Sequence, residues 1–233
     1  MSKTFGGSGT RTTWTISVWV KRCVADQNHM IWSAGSNGFA WFQSNNTIQW
    51  SFTSGGVQLV TTRLFRDVGS WMHLLFVADT PDGTSTERMR LYVNGVREAV
   101  SFTSTPSASQ SGDWFNSANT HYIGRYTTPY YAQMFMANFQ CVDGTDLSPS
   151  SFGEFKNGIW VPKSYSGSYG TRGFFLDFGN SADLDADVSG NGNDFTATSM
   201  SAANQVVDTP TNNEAVIDTL QSKSTGWTSI GAI

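Results

Sequence analysis

The chain has 233 residues and a formal net charge of −4, with 14% aromatic residues, 14% charged residues and 23 glycines. It lacks the long Ala, Leu, Glu and Lys blocks of a helical bundle and is rich in the flat side chains that suit a pleated surface, so it reads as one β-rich domain. From Gly173 to the end eight acids face one base, Lys223, whereas the first 172 residues hold ten acids and thirteen bases; this balance excludes nucleic acid as a partner, because phosphate neutralisation needs clustered Lys and Arg. No apolar run reaches membrane-spanning length, so no membrane insertion is expected. The start, MSKTFGGSGTRTT, lacks the apolar segment of a secretory signal, which predicts a soluble chain not exported by that route. Without that route, Cys23 and Cys141 read as strand residues or buried thiols rather than a disulfide.

After a lead-in of Gly, Ser and Thr, alternation puts Trp14, Ile16, Val18 and Val20 on one face of a strand and Trp19 on the other. Further strands are expected over residues 29–33, 38–43, 47–52 and 57–62, separated by the turns Gly35-Ser36-Asn37 and Ser44-Asn45-Asn46. The apolar runs 74–78 and 89–93 are joined through Asp79-Thr80-Pro81-Asp82-Gly83, the turn chemistry of a hairpin. The second run then meets Asn94-Gly95, which readily takes positive φ and reverses the chain again. Residues 101–119 are polar and Ser-rich and read as a long rim loop with Trp114-Phe115 as its bulky pair. Strands follow over 121–125 and 131–142, where alternation sets Met134, Met136, Asn138 and Gln140 opposite Phe135, Ala137, Phe139 and Cys141. Ser148-Pro149 starts a short helix, and two more strands are expected over 174–178 and 194–198. Residues 201–233 carry few large apolar side chains and read as an extended C-terminal arm that orders on a neighbouring subunit.

Four segments carry a resemblance: Thr15-Ile16-Ser17-Val18-Trp19-Val20-Lys21, Trp71-Met72-His73, Leu91-Tyr92-Val93-Asn94-Gly95 and Ile123-Gly124. In order, they resemble recurring strands of the laminin-G-like branch of the concanavalin A-like lectin and glucanase superfamily. The resemblance implies an all-β fold, a two-sheet antiparallel jelly-roll sandwich over residues 1–200, with the section after 173 added to the same sandwich. It implies little about activity, because this fold hosts enzymes, lectins and structural modules. His73 matches a position of the fold and is expected to be a hydrogen-bonded packing residue. Glucanases of the superfamily share a Glu-x-Asp-x-Glu strand; the four glutamates here, Glu87, Glu98, Glu154 and Glu214, have no Asp two residues on. The expectation is therefore a protein that is not an enzyme, with a glycoside hydrolase or depolymerase on the same fold as the alternative.

Two candidate sites remain. In the run 183–194, Asp185, Asp187, Asn191 and Asn193 place hard oxygen donors between glycines, as calcium requires, and relatives often hold calcium at a rim; the other reading is an Asx-rich turn whose carboxylates cap their own backbone. Tyr122, Tyr126, Tyr130 and Tyr131, then Trp160, Tyr165 and Tyr169, put amphipathic rings in loops. Such rings stack sugars or anchor a protein interface. Calcium is the one cofactor considered, and none is required.

Arg11-Thr12-Thr13-Trp14-Thr15-Ile16-Ser17, Val20-Lys21-Arg22 and Asp208-Thr209-Pro210-Thr211-Asn212-Asn213 are together similar to proteins of tailed bacteriophages of aquatic bacteria. Laminin-G-like modules recur there in tail fibres and on capsid surfaces. That resemblance implies a virion surface protein, a capsid decoration or tail-fibre subunit, with other virion subunits as partners. It also implies a homo-oligomer, a trimer first, and host-surface polysaccharide as a ligand.

Overall fold

The computed structural model describes residues 1–53, 56–126 and 130–212. Its strands are β1 (Ser2–Thr4), β2 (Thr13–Arg22), β3 (His29–Ala34), β4 (Gly38–Phe42), β5 (Ile48–Thr53), β6 (Val57–Thr61), β7 (Met72–Asp79) and β8 (Met89–Val93). They continue with β9 (Val96–Arg97), β10 (Val100–Ser104), β11 (Thr120–Ile123), β12 (Met134–Asp143), β13 (Gly153–Lys156), β14 (Ile159–Pro162) and β15 (Phe174–Leu176). A seven-stranded sheet runs β1-β11-β3-β4-β5-β6-β10 and a six-stranded sheet runs β15-β12-β2-β7-β8-β9. All pairings are antiparallel, and β13 and β14 form a separate hairpin. This is the two-sheet sandwich expected. Among the described residues no helix is long and apolar enough to cross a membrane.

The two inner faces meet in a core crowded with indoles. Trp14, Ile16, Val18 and Val20 of β2 point into it, as alternation predicts, and Trp19 points out. Trp14, Trp32, Trp50 and Trp114 pack ring against ring, with Trp32 and Trp114 centroids 5.0 Å apart and Trp14 and Trp50 5.5 Å apart. Burying each such ring contributes about 2–3 kcal/mol, and edge-on ring contacts add to it. Strand β7 does not alternate: seven of its eight residues are buried. Leu74, Phe76 and Ala78 face the core, while Leu75 and Val77 are covered from outside by Phe152 and Tyr169. An unbroken apolar run is what a strand buried on both faces needs.

Several expectations are corrected. The 101–119 stretch is not one rim loop: β10 occupies its start and pairs with β6, and Trp114 and Phe115 lie in the core. The alternation proposed for residues 134–141 breaks at a β-bulge between Ala137 and Gln140, where Asn138 takes φ 48°. The extra residue turns the strand over, so Met134 and Met136 share the core with Phe139 and Cys141, while Phe135 and Ala137 face outward. The short helix is a single 3-10 turn, Pro149–Ser151, and the chain then enters the β13–β14 hairpin. Residues 194–198 form no strand; Thr196 makes one isolated bridge to Ser2. β15 does join the sandwich, pairing with β12 from Phe139 to Cys141. Of the arm expected over 201–233, residues from 213 onward lie outside the described residues.

Candidate functional site

Strand β4 alternates cleanly: Gly38, Ala40 and Phe42 are buried, and Phe39 and Trp41 stand half-buried on the outer face of the seven-stranded sheet. Tyr126 and Tyr130, which follow β11, come back over this face. Phe39 meets Trp41 at 5.5 Å and Tyr126 at 5.9 Å, and Trp41 meets Tyr130 at 5.5 Å, each edge to face. Tyr126 is fixed by its hydroxyl, which donates to the Ser36 carbonyl, and burial raises its phenol above the ordinary value. Beside them, the Arg125 guanidinium lies over Tyr122 (4.7 Å) and Tyr131 (5.8 Å). The four tyrosines of 122–131 are thus brought to one region, and Tyr130 and Tyr131 remain 41% and 57% exposed.

A row of amides borders the rings. Trp41 sits opposite Gln49 in the ladder, and its Nε1 donates to Gln49 Oε1 at 2.8 Å. Gln43 Nε2 donates to the same oxygen at 2.7 Å, Thr47 Oγ1 donates to Gln43 Oε1 at 2.7 Å, and Gln49 Nε2 donates to Gln58 Oε1. A row built this way offers hydrogen bonds without ionised groups, next to flat apolar faces. Phe39, Trp41, Gln49 and Gln58 escape a reading of the sequence by loops, because they lie within strands, and Gln43 directly follows β4; their signal is that large residues fall on the outward positions of β4.

A groove of about 850 Å³ lies at one edge of the sandwich. β15 pairs with β12 only as far as Phe139, because Phe178 takes φ 58° and the chain turns away, so Met134 to Ala137 border the groove. Residues 198–209 cross its far side, tied down by Asp208, which accepts from Lys21 Nζ (2.8 Å) and Trp71 Nε1 (3.1 Å). Met134, Met136, Phe178 and Met200 give the groove an apolar character that suits sugar hydroxyls poorly.

Trp160, Tyr165 and Tyr169 pack against residues of the six-stranded sheet, whereas the patch lies on the seven-stranded one. Trp160 is 8% exposed; it lies on the outer face of the six-stranded sheet with Trp19 and Trp71. Its Nε1 donates to His73 Nδ1 at 3.1 Å, which fixes the imidazole as the Nε2–H tautomer that donates to Ser17 Oγ at 2.8 Å. Desolvation pushes His73 down to about 3, so it stays neutral and holds a fold position. The ring also seals the Asn94-Gly95 turn (φ 48° and 80°), where a Cβ on Gly95 would come within 2.6 Å of the indole. Tyr169 donates to Gln140 Oε1 at 2.7 Å and meets Tyr165 edge-on at 5.2 Å. Trp160 and Tyr169 are thus buried, and Tyr165 half-buried, on the six-stranded sheet, apart from the other four rings.

A laminin-G-type family model, described as concanavalin A-like lectin/glucanases superfamily, matches residues 4–143. The chain belongs to this superfamily. No curated protein matches its sequence. A candidate carbohydrate-binding protein from Bacteroides ovatus is similar in structure, with a TM-score of 0.50 and 14% identity over 76% of this chain and 52% of that one. A heptameric SAP-like pentraxin from Limulus polyphemus gives a TM-score of 0.42 and 17% identity over 62% and 70% of the two chains. Domain 4 of an extracellular arabinanase from Geobacillus stearothermophilus, in complex with arabinotriose, gives 0.40 and 15% over 62% and 65%. The superfamily module here therefore spans about half the length of the Bacteroides protein.

The 183–194 loop, read either as a calcium site or as an Asx-rich turn, has the hydrogen bonds of the turn. Asp187 accepts from three backbone N–H groups, those of Phe175 (2.9 Å), Ser189 (2.9 Å) and Asn193 (2.8 Å). Asn191 and Asn193 aim their amide nitrogens at the carbonyls of Gly170, Thr171 and Gly173, and Asp185 accepts from Ala197 N at 2.5 Å. Asp185, Asp187, Asn191 and Asn193 thus tie the 170–197 section together through its backbone. Among the described residues no group of three or more His, Cys, Asp or Glu side chains is placed to hold a metal ion. Cys23 is exposed and Cys141 buried, both as free thiols, and Trp114 Nε1 donates to Cys141 Sγ at 3.1 Å.

Proposed function

We propose that this chain is a non-enzymatic glycan-binding module that works at a virion surface, with the outer face of β4, β5 and β6 as its sugar platform. The observation that carries the glycan reading is the Phe39, Trp41, Tyr126 and Tyr130 ring cluster bordered by the Gln43, Gln49 and Gln58 amides. Aromatic faces take the apolar C–H side of a sugar ring while amides bond its hydroxyls. The glutamine amides do not titrate, so the polar row beside the rings supplies no carboxylate pair of the kind most glycoside hydrolases use, which supports binding over cleavage. The carbohydrate-binding description of the Bacteroides protein agrees with the same reading, as a likeness of fold. The virion setting, with other virion subunits as partners and a homotrimer as the assembly, rests on the phage resemblance of residues 11–213.

The test is a glycan microarray followed by titration of the best ligand with the native chain and Trp41→Ala. Retained binding by a folded Trp41→Ala protein would remove the platform. Release of reducing ends from host capsular or cell-wall polysaccharide, lost on changing one carboxylate, would replace the module by the glycan-active enzyme. Mass spectrometry of purified particles tests the virion setting, and light scattering tests the trimer.

A further inference from the structure

The direction of every amide in the platform follows from one group. An indole N–H can only donate, so the Gln49 atom that meets Trp41 Nε1 is the carbonyl oxygen. The same oxygen takes the Gln43 amide nitrogen, which turns Gln43 Oε1 to the Thr47 hydroxyl. Gln49 Nε2 must then point the other way, into Gln58 Oε1. The row is a one-way relay, and its last amide presents nitrogen: among the described residues Gln58 Nε2 has no acceptor. Two positions along β6, on the same outer face, stands the half-buried Val60, paired with Gln49 across the ladder.

We propose that Gln58 and Val60 read the acetamido group of an N-acetylated, uncharged sugar whose ring lies on the aromatic platform. The carbonyl of an acetamido group is an acceptor without a proton of its own, so it continues the relay as the next rung, taking the hydrogen from Gln58 Nε2 as Gln58 takes one from Gln49. Its methyl needs an apolar neighbour, and Val60 is the aliphatic side chain beside Gln58. An uncharged ligand follows from the chemistry of the row, which holds amides, a hydroxyl and rings; the nearby Arg125 guanidinium is committed to the Tyr122 and Tyr131 faces and to the Tyr126 carbonyl. A plain hydroxyl can turn to donate or accept and so would not distinguish the relay's direction; a carbonyl does. This inference rests on the glycan-binding reading above and assigns that site its sugar class.

The experiment compares the intact protein's affinity for multivalent conjugates of N-acetylglucosamine against glucose, and of N-acetylgalactosamine against galactose. At least one N-acetylated partner should bind about tenfold or more tightly than its hydroxyl counterpart, the difference one directed hydrogen bond with its methyl contact supplies. Gln49→Glu provides the decisive readout. Its carboxylate still accepts from Trp41 and Gln43 but has nothing to donate, so Gln58 turns over and presents oxygen although its own sequence is unchanged. Gln49→Glu and Gln58→Glu should both abolish the N-acetyl preference in a protein whose melting midpoint shows that it remains folded. Equal binding within both sugar pairs, no binding of either N-acetylated conjugate, or a preference that survives Gln49→Glu in a folded protein would overturn the proposal. Loss of glycan binding in Trp41→Ala with an unchanged preference in both Gln variants would sink the amide relay and leave the platform standing. Trp41→Ala without effect would instead sink the platform.

Discussion

Acidification should destabilise this protein well before its carboxylates titrate, because of its buried histidines. His73 is fully enclosed between Trp19 (5.1 Å) and Trp160 (6.0 Å), and burial pushes it down to about 3. His121, also fully buried, accepts from the Phe115 N–H at 2.8 Å and is pushed down to about 4. In the unfolded chain both take a proton near pH 6.5. Below that pH the unfolded state binds protons that the native state refuses, so stability is full above pH 6.5 and falls as pH drops toward the native values. At pH 5 each histidine costs about 2 kcal/mol relative to pH 7, together about 4 kcal/mol. His29, lowered mainly by burial, has the same sign, whereas Glu98 and Asp113, raised mainly by burial, gain stability on acidification and offset part of the loss at the lower end. For a domain of this size the net change is a fall in melting midpoint of roughly 10 °C. The assay is urea unfolding at half-unit steps from pH 7.5 to 5, repeated on His73→Asn, whose amide can still accept from Trp160 but cannot be charged. The variant starts less stable but should lose about half the pH slope. A native slope under about 1 kcal/mol across this range, or a slope that His73→Asn leaves unchanged, would refute the assignment of neutral buried imidazoles.

Three further outcomes are expected. Chelator should leave the melting midpoint unchanged, and Asp187→Ala should cost about 1–3 kcal/mol through three backbone N–H groups left without their acceptor; a chelator-dependent midpoint would restore a metal to the loop. Trp160→Ala should cost about 3–5 kcal/mol by opening a cavity over His73 and the Asn94-Gly95 turn, seen in thermal unfolding, and whatever stays folded should keep its glycan affinity. At the β12 bulge, Asn138→Gly should be neutral or slightly stabilising and Asn138→Val should cost about 1–2 kcal/mol in denaturant titrations, because a β-branched residue resists φ 48°; equal stability of the two variants would mean that the bulge carries no conformational demand.

The sequence by itself determined the sandwich and most of its strands, because the information is local: period-two alternation in β2, an unbroken apolar run in β7, and Asn-Gly at the turn after β8 each act within a few residues. It also made Trp14, Ile16, Val18 and Val20 a single inward face. Tertiary structure decided what local pattern cannot. Alternation through residues 134–141 looks regular, yet Asn138 adds a residue opposite β2 and exchanges the faces beyond it, since only pairing with a neighbouring strand reveals a bulge. Trp114 and Phe115 sit in a polar stretch and are drawn into the core by indoles more than sixty residues away in sequence. The site divides in the same way. Tyr122, Tyr126, Tyr130 and Tyr131 are legible as amphipathic rings near one another in the chain, whereas Trp160 and Tyr169, which the sequence marks in the same way, are consumed in covering the second sheet. Gln43, Gln49 and Gln58 carry no motif, and their shared direction exists only because strand register sets a donor-only indole beside the middle one.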